Sequence, residues 1–257
     1  KPKRIGTVDM SKLDVGVLVG LKAEPDPEIK KVADLGLKSC QICTWNIALC
    51  TDSTGEKLTA ACATHDVGVS TFWAGYSGPA VWNFLEGPST IGLVPEKYRD
   101  TRVGELKEAA TWAAKHGLPS ITTHVGFLPE DPNDPLYGGT VDALKDVVSH
   151  CDELGIEFWF ETGQETPVTL LRTIERIGLD NMGINLDTAN VILYGKGNPV
   201  DSLDVFGSYV KDLHLKDGFY PTTGDHLGKQ VPLGKGKVDF KAVVSRLKEL
   251  GYTGPLT

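Results

Sequence analysis

Three short apolar runs in the second half of the chain each end on a side chain able to bind a metal. Phe158-Trp159-Phe160 leads to Glu161, Met182-Gly183-Ile184-Asn185-Leu186 to Asp187, and Tyr209-Val210-Lys211-Asp212-Leu213 to His214. These ends lie 26 and 27 residues apart, about the length of one strand-loop-helix-loop unit. If each run is a parallel strand of one closed sheet, all three side chains emerge at the same carboxyl-terminal rim.

A repeated phrase supports that architecture. A charged amphipathic segment, a glycine and an apolar residue recur at Asp34-Leu35-Gly36-Leu37, Lys115-His116-Gly117-Leu118, Glu153-Leu154-Gly155-Ile156, Arg176-Ile177-Gly178-Leu179 and Glu249-Leu250-Gly251-Tyr252. Each glycine suits the left-handed position that stops a helix, so five similar helix-to-strand turns are expected. Asp26-Pro27 and Thr166-Pro167 look like helix starts, as does Asp239, and Thr140 can cap a helix from Val141. Strands are expected at Asp14–Val19, Lys38–Cys43, Val67–Ala74, Ser120–His124, Glu157–Glu161, Met182–Asp187 and Val210–Leu215, with an eighth starting near Pro255. The intervening helices fall at Pro27–Leu35, Thr54–Thr64, Thr101–His116, Val141–Leu154, Pro167–Ile177, within Val200–Gly207, and at Phe240–Leu250. This pattern describes an α/β fold, a (β/α)8 barrel forming one domain over residues 1–257, with its last helix absent from the chain. A doubly wound open sheet fits less well, because no glycine-rich phosphate turn follows the first strand. The aromatic, Gly- and Pro-rich segment from Gly75 to Arg99 is too long for a plain connection and is expected to fold over the rim as a substrate lid.

Composition narrows the partners. With 26 basic and 34 acidic residues the formal charge is −8, which repels phosphate backbones and sets the chain against a nucleic-acid partner. No apolar run reaches the roughly 18 residues of a membrane span. Five cysteines without dense spacing point to reduced thiols and a cytoplasmic protein, although a leader already cleaved would leave no trace. The opening Lys1-Pro2-Lys3-Arg4 lacks a methionine, so residues upstream are expected to have been removed or left out. Cys40 and Cys43 form a C-x-x-C within a strand, where positions three apart face opposite sides and suit neither redox nor zinc chemistry.

Glu161, Asp187 and His214 together offer two carboxylates and an imidazole, a donor set for a divalent cation such as Mn2+, with Mg2+, Co2+ or Zn2+ as alternatives. His124 closes the fourth strand, where it could bond a substrate hydroxyl or act as an acid. Lys216 shares the face of His214 and could stabilise an enolate or hold a phosphate or carboxylate. Gln164, Glu165 and Asn190 are candidate hydroxyl binders, and Trp45, Trp73 and Phe72 could provide an apolar floor for a sugar ring. Gly234-Lys235-Gly236-Lys237 has the look of a phosphate cradle but reads better as a turn into the Asp239 helix; with Lys229 it could still hold an anion. His226 could reach the substrate from the loop after strand seven, while His65 and His150 have no assigned role.

Four motifs carry a resemblance: Phe160-Glu161-Thr162-Gly163-Gln164-Glu165-Thr166, Asn185-Leu186-Asp187-Thr188-Ala189-Asn190, His214-Leu215-Lys216-Asp217, and Pro232 to Phe240. They resemble the sugar phosphate isomerase/epimerase family of the xylose isomerase-like TIM barrels, densely from about Ile121 onward. The resemblance implies a metal held by Glu161, Asp187, His214 and a second glutamate after strand eight, for which this sequence has no position. Truncation just before that glutamate is the expectation. It also implies a metal-dependent isomerase or epimerase that transfers a proton beside a sugar carbonyl, with Glu161 as one acid-base partner, a small carbohydrate, free or phosphorylated, as substrate, and association into a homo-oligomer. A lyase on the same scaffold, a dehydratase or a 3-keto-glycoside-cleaving enzyme, is the alternative; a non-catalytic sugar-binding barrel ranks below it. Phosphodiester hydrolysis, as in the superfamily's endonuclease IV-like members, would need a histidine-rich multi-metal cluster and a basic groove that six scattered histidines and a negative charge do not supply.

Overall fold

The computed structural model describes residues 14–257; the Lys1-Pro2-Lys3-Arg4 opening lies outside the described residues. Seven strands, β1 (Gly16–Gly20), β2 (Ser39–Thr44), β3 (Gly68–Ala74), β4 (Ser120–Thr123), β5 (Glu157–Glu161), β6 (Met182–Asp187) and β7 (Val210–His214), pair in parallel and in chain order. Helices α1 (Asp26–Asp34), α2 (Asp52–His65), α3 (Glu96–Lys115), α4 (Pro135–Glu153) and α5 (Pro167–Ile177) connect the first six. Short α6 (Asn190–Leu193) and α7 (Pro199–Phe206) lead to β7; a two-stranded hairpin, β8 (Asp217–Gly218) with β9 (Gln230–Val231), and α8 (Phe240–Glu249) follow it.

The expected eighth strand closes the ring. Leu256 exchanges backbone hydrogen bonds with Asp14 and Gly16 at 2.8 Å each, while Thr257 donates to Leu213 O and accepts from Leu215 N. With both edges of the sheet paired through this segment, the fold is a (β/α)8 barrel.

Outward faces of the strands bury Ile42, Phe72, Phe158, Phe160 and Ile184 against the helices. All five helix-stopping glycines have φ between +68° and +77°, as the repeated phrase requires. Several boundaries differ from the sequence reading. Helix α4 starts after Asp134, whose carboxylate accepts from Leu136 N, and Thr140 lies inside it, donating to Leu136 O rather than capping. Helix α3 begins five residues early, directly after Pro95. Asp26 is the first residue of α1 and caps nothing, pairing instead with His65 at 2.8 Å. Thr166 and Asp239 cap as expected.

The segment between β3 and α3 does lie on the rim, as a pinned cover. Arg102, fully buried, donates to the carbonyls of Ser77, Pro79 and Gly92 and stacks on Tyr76 and Tyr98. Tyr76 OH donates to His124 O and accepts from Gly92 N. At Gly92 (φ +75°) a Cβ would strike the Val125 carbonyl, so only glycine lets this crossing close. Replacing Arg102 with leucine strands three carbonyls. It should cost about 3 kcal/mol and speed amide hydrogen exchange between Gly75 and Pro95; unchanged exchange there would show that the cover does not depend on this side chain.

Candidate active site

The alternation of β5 sends Phe158 and Phe160 into the outer core and turns Glu161 inward, at the top of the barrel. Asp187 ends β6 and His214 ends β7, paired across the ladder. One ligand atom from each of Glu161, Asp187 and His214 lies within 4.8 Å of the others, and all three side chains are buried.

Glu161 is only 3% exposed. Its Oε1 lies 3.0 Å from His214 Nδ1 and 3.4 Å from His124 Nε2, and its Oε2 accepts from Trp73 Nε1. Burial alone would raise its pKa, but the two histidines outweigh burial and hold the carboxyl well below the usual range. For His214 burial acts downward, and Glu161, Asp187 and Asp212 overcome it to push the imidazole up. Asp187 Oδ1 accepts from the amides of Ala189 and Asn190 at the start of α6. Its Oδ2 has Lys216 Nζ at 3.0 Å and His214 Nδ1 at 3.8 Å but takes no directed hydrogen bond. A buried carboxylate oxygen with an unspent lone pair, beside an imidazole nitrogen and a second acid, fits a divalent cation.

Most of the other predicted residues fall around this cluster; Phe72 and the exposed His226 do not. Lys216 Nζ also reaches Asn190 Oδ1 at 2.9 Å, and Asn190 Nδ2 donates to Thr162 O. Gln164 donates to Tyr194 OH, leaving its own Oε1 without a partner, and Glu165 Oε2 is likewise buried and unpartnered. Burial pushes the Glu165 carboxyl up to about 7 against the pull of nearby amides, His124 and Lys196. Trp73 is buried beside Glu161; Trp45, 45% exposed, packs 5.0 Å from it, and Trp82 bridges Trp45 and His124. Phe72 is not in this floor. A register shift where β2 meets β3 leaves Trp73 inside and Phe72 outside, against Trp112 of α3.

Gly234-Lys235-Gly236-Lys237 is a filled cradle. Asp217 accepts from Gly218 N and Val238 N through Oδ1 and from Gly236 N through Oδ2, so the loop's amides hold the chain's own carboxylate. His226 is exposed in the β8–β9 loop, His65 pairs with Asp26, and His150 with Thr111.

Two buried side chains escaped the sequence reading. Gln41 on β2 accepts from His214 Nε2 at 2.8 Å, and Asp212, two residues below His214 on β7, takes the Ser70 hydroxyl at 2.6 Å. The signal available was Gln41 as a lone polar residue between Cys40 and Ile42, and Asp212 two positions before His214 on the same strand face.

The sequence model of the xylose isomerase-like TIM barrel family matches residues 29–257, and the chain belongs to that family. It is similar to a xylose isomerase domain protein from Planctomyces limnophilus, with 32% identity and a TM-score of 0.88 over 96% of this chain and 90% of that one. It shares its fold with a D-psicose 3-epimerase solved in the presence of D-fructose, at 17% identity and a TM-score of 0.70, covering 95% of this chain and 83% of the other. The uncharacterized protein MJ1311 of Methanocaldococcus jannaschii is 23% identical over 175 residues, which is 63% of this chain and 57% of that relative's length. No helix among the described residues is long and apolar enough to cross a membrane.

The paired shifts set a pH window for the chelated protein. His214, raised above its ordinary 6.5, stabilises the fold below that value and loses the contribution as pH rises through its folded pKa. Glu161, lowered below its ordinary 4.5, contributes above that value and loses it as pH falls through its own folded pKa. Thermal unfolding in chelator should therefore peak between these limits and decline on the alkaline side. A His214→Gln variant that keeps the same alkaline decline would contradict the assignment.

Proposed function

We propose that this protein is a divalent-metal-dependent isomerase or epimerase of an unphosphorylated sugar, working through an enediolate. The observation that carries the reading is the meeting of Glu161, Asp187 and His214 at one point of the rim, beneath indole rings. These three residues would hold the ion, with Mn2+ the first candidate and Mg2+, Co2+ or Zn2+ as alternatives. When bound it supplies Lewis-acid stabilisation of negative charge on a carbonyl oxygen.

Glu161, kept ionised by its two histidines, is the base that takes a carbon-bound proton. His124, on the same carboxylate oxygen, bonds a substrate hydroxyl or delivers a proton. Lys216 places a positive charge beside the developing oxyanion while neutralising Asp187. Gln164 and Glu165 have buried oxygens free to orient hydroxyls, Asn190 holds Lys216 in place, and Trp45 and Trp73 offer apolar faces to the ring. An unphosphorylated substrate is favoured because two rim cations are already engaged, Arg102 with the cover and Lys216 with Asp187, and Asp217 takes amides of the glycine-lysine loop.

Glu161→Gln should lower turnover by about 10²- to 10⁴-fold, the usual contribution of a general base, and His214→Ala should reduce Mn2+ occupancy as well. Glu165→Gln should be milder, raising KM more than it lowers kcat. A panel of ketoses incubated in D2O with Mn2+ should return isomer carrying solvent deuterium, with free sugars preferred over their phosphates. Full activity in both Glu161→Gln and His214→Ala would end the proposal, and loss of water or an aglycone without isomer would replace it with the lyase reading.

A further inference from the structure

Both nitrogens of the His214 ring have an assigned direction. Nδ1 faces Glu161 Oε1 at 3.0 Å and Asp187 Oδ2 at 3.8 Å, while Nε2 points across the barrel to Gln41 Oε1 at 2.8 Å. A carboxamide oxygen can only accept, so this contact requires the hydrogen on Nε2. The other end of the amide favours the same orientation. Gln41 Nε2 donates to Asn185 Oδ1 at 3.3 Å and lies against the Asp212 carboxyl, both of whose oxygens already accept, Oδ2 from Ser70 Oγ and Oδ1 from Leu213 N. Gln41, Asn185 and Asp212 are fully buried, so turning the amide over would set its oxygen against a carboxylate with no water to relieve the clash.

We propose that Gln41 is a positioning residue for the metal site: by accepting from His214 Nε2–H it fixes the imidazole tautomer whose Nδ1 lone pair is turned toward Glu161 and Asp187. This inference rests on the metal-binding reading of that cluster. A hydrogen-bonding partner on the second nitrogen orients a ligating imidazole and raises its basicity, and losing one typically costs 10- to 100-fold in metal affinity. Gln41 does this from β2, on the far side of the barrel from the three ligands, and without adding charge. Gln41→Leu removes the acceptor at similar volume.

Two measurements test the role. In Mn2+ equilibrium dialysis, Gln41→Leu should bind about 10- to 100-fold more weakly than wild type. In nitrogen-15 NMR of histidine-labelled wild type loaded with diamagnetic Zn2+, the His214 ring should carry its proton on Nε2 and none on Nδ1. A Gln41→Leu protein that keeps the wild-type unfolding transition and binds Mn2+ as tightly overturns the inference, as does a wild-type ring protonated on Nδ1. The wild-type spectrum needs no variant, so it still decides the matter if Gln41→Leu fails to fold. Wild-type protein that binds neither Mn2+ nor Zn2+ would defeat the proposed function, whereas Mn2+ binding left unchanged by Gln41→Leu would defeat this inference alone.

Discussion

Two carboxylates, Glu161 and Asp187, are withdrawn from water at the top of the barrel, and their charge governs the surroundings. Removing an ionised carboxylate from solvent costs several kcal/mol even after relaxation. An imidazolium 3.0 Å from Glu161 returns about 5 kcal/mol at an effective dielectric of about 20, enough for one acid and not for two. Lys216 answers Asp187, Trp73 and His124 answer Glu161, and the first amides of α6 answer Asp187 again. Asp187 still keeps one oxygen without a directed bond. A divalent cation would satisfy both acids and His214 together, replacing the proton that the imidazole otherwise carries.

The closed sheet makes that juxtaposition possible. Parallel strands paired in chain order bring residues 26 or 27 positions apart onto neighbouring strand ends, and hydrogen bonding through Leu256 and Thr257 seals the ring. Above it, the segment running to Pro95 is tied by Arg102 and threaded past Val125 at Gly92, so Trp82 meets His124 from a fixed direction. Below it, Gln41, Asn185, Asp212 and Ser70 form a hydrogen-bonded polar layer where an ordinary barrel interior would be packed with aliphatic groups. The cluster is thus held from the side, above and beneath.

Much of this was legible in the sequence because its signals are local. An apolar run ending in Glu, Asp or His marks a strand end, and a glycine after an amphipathic segment marks a helix stop; these carried the barrel and brought Glu161, Asp187, His214, His124 and Lys216 to one place. What was missed depends on contacts between distant segments. A register shift between β2 and β3 decides that Trp73 rather than Phe72 faces inward. The glycine-lysine loop looks open to an anion until Asp217, 19 residues before Gly236, is seen to occupy it. Gln41 gains meaning only from His214, 173 residues away. Asp134 and Thr140 are equally good caps on paper, and the proline that follows Asp134 settles where α4 begins.

The central claim is that Glu161, Asp187 and His214 serve a common ion. Anomalous diffraction from crystals soaked in manganese tests it most directly. The account predicts one strong anomalous peak bounded by Glu161, Asp187 Oδ2 and His214 Nδ1, with Gln41 still hydrogen-bonded to Nε2. Saturating manganese that leaves this point without a peak, or a peak coordinated by other residues, would contradict it.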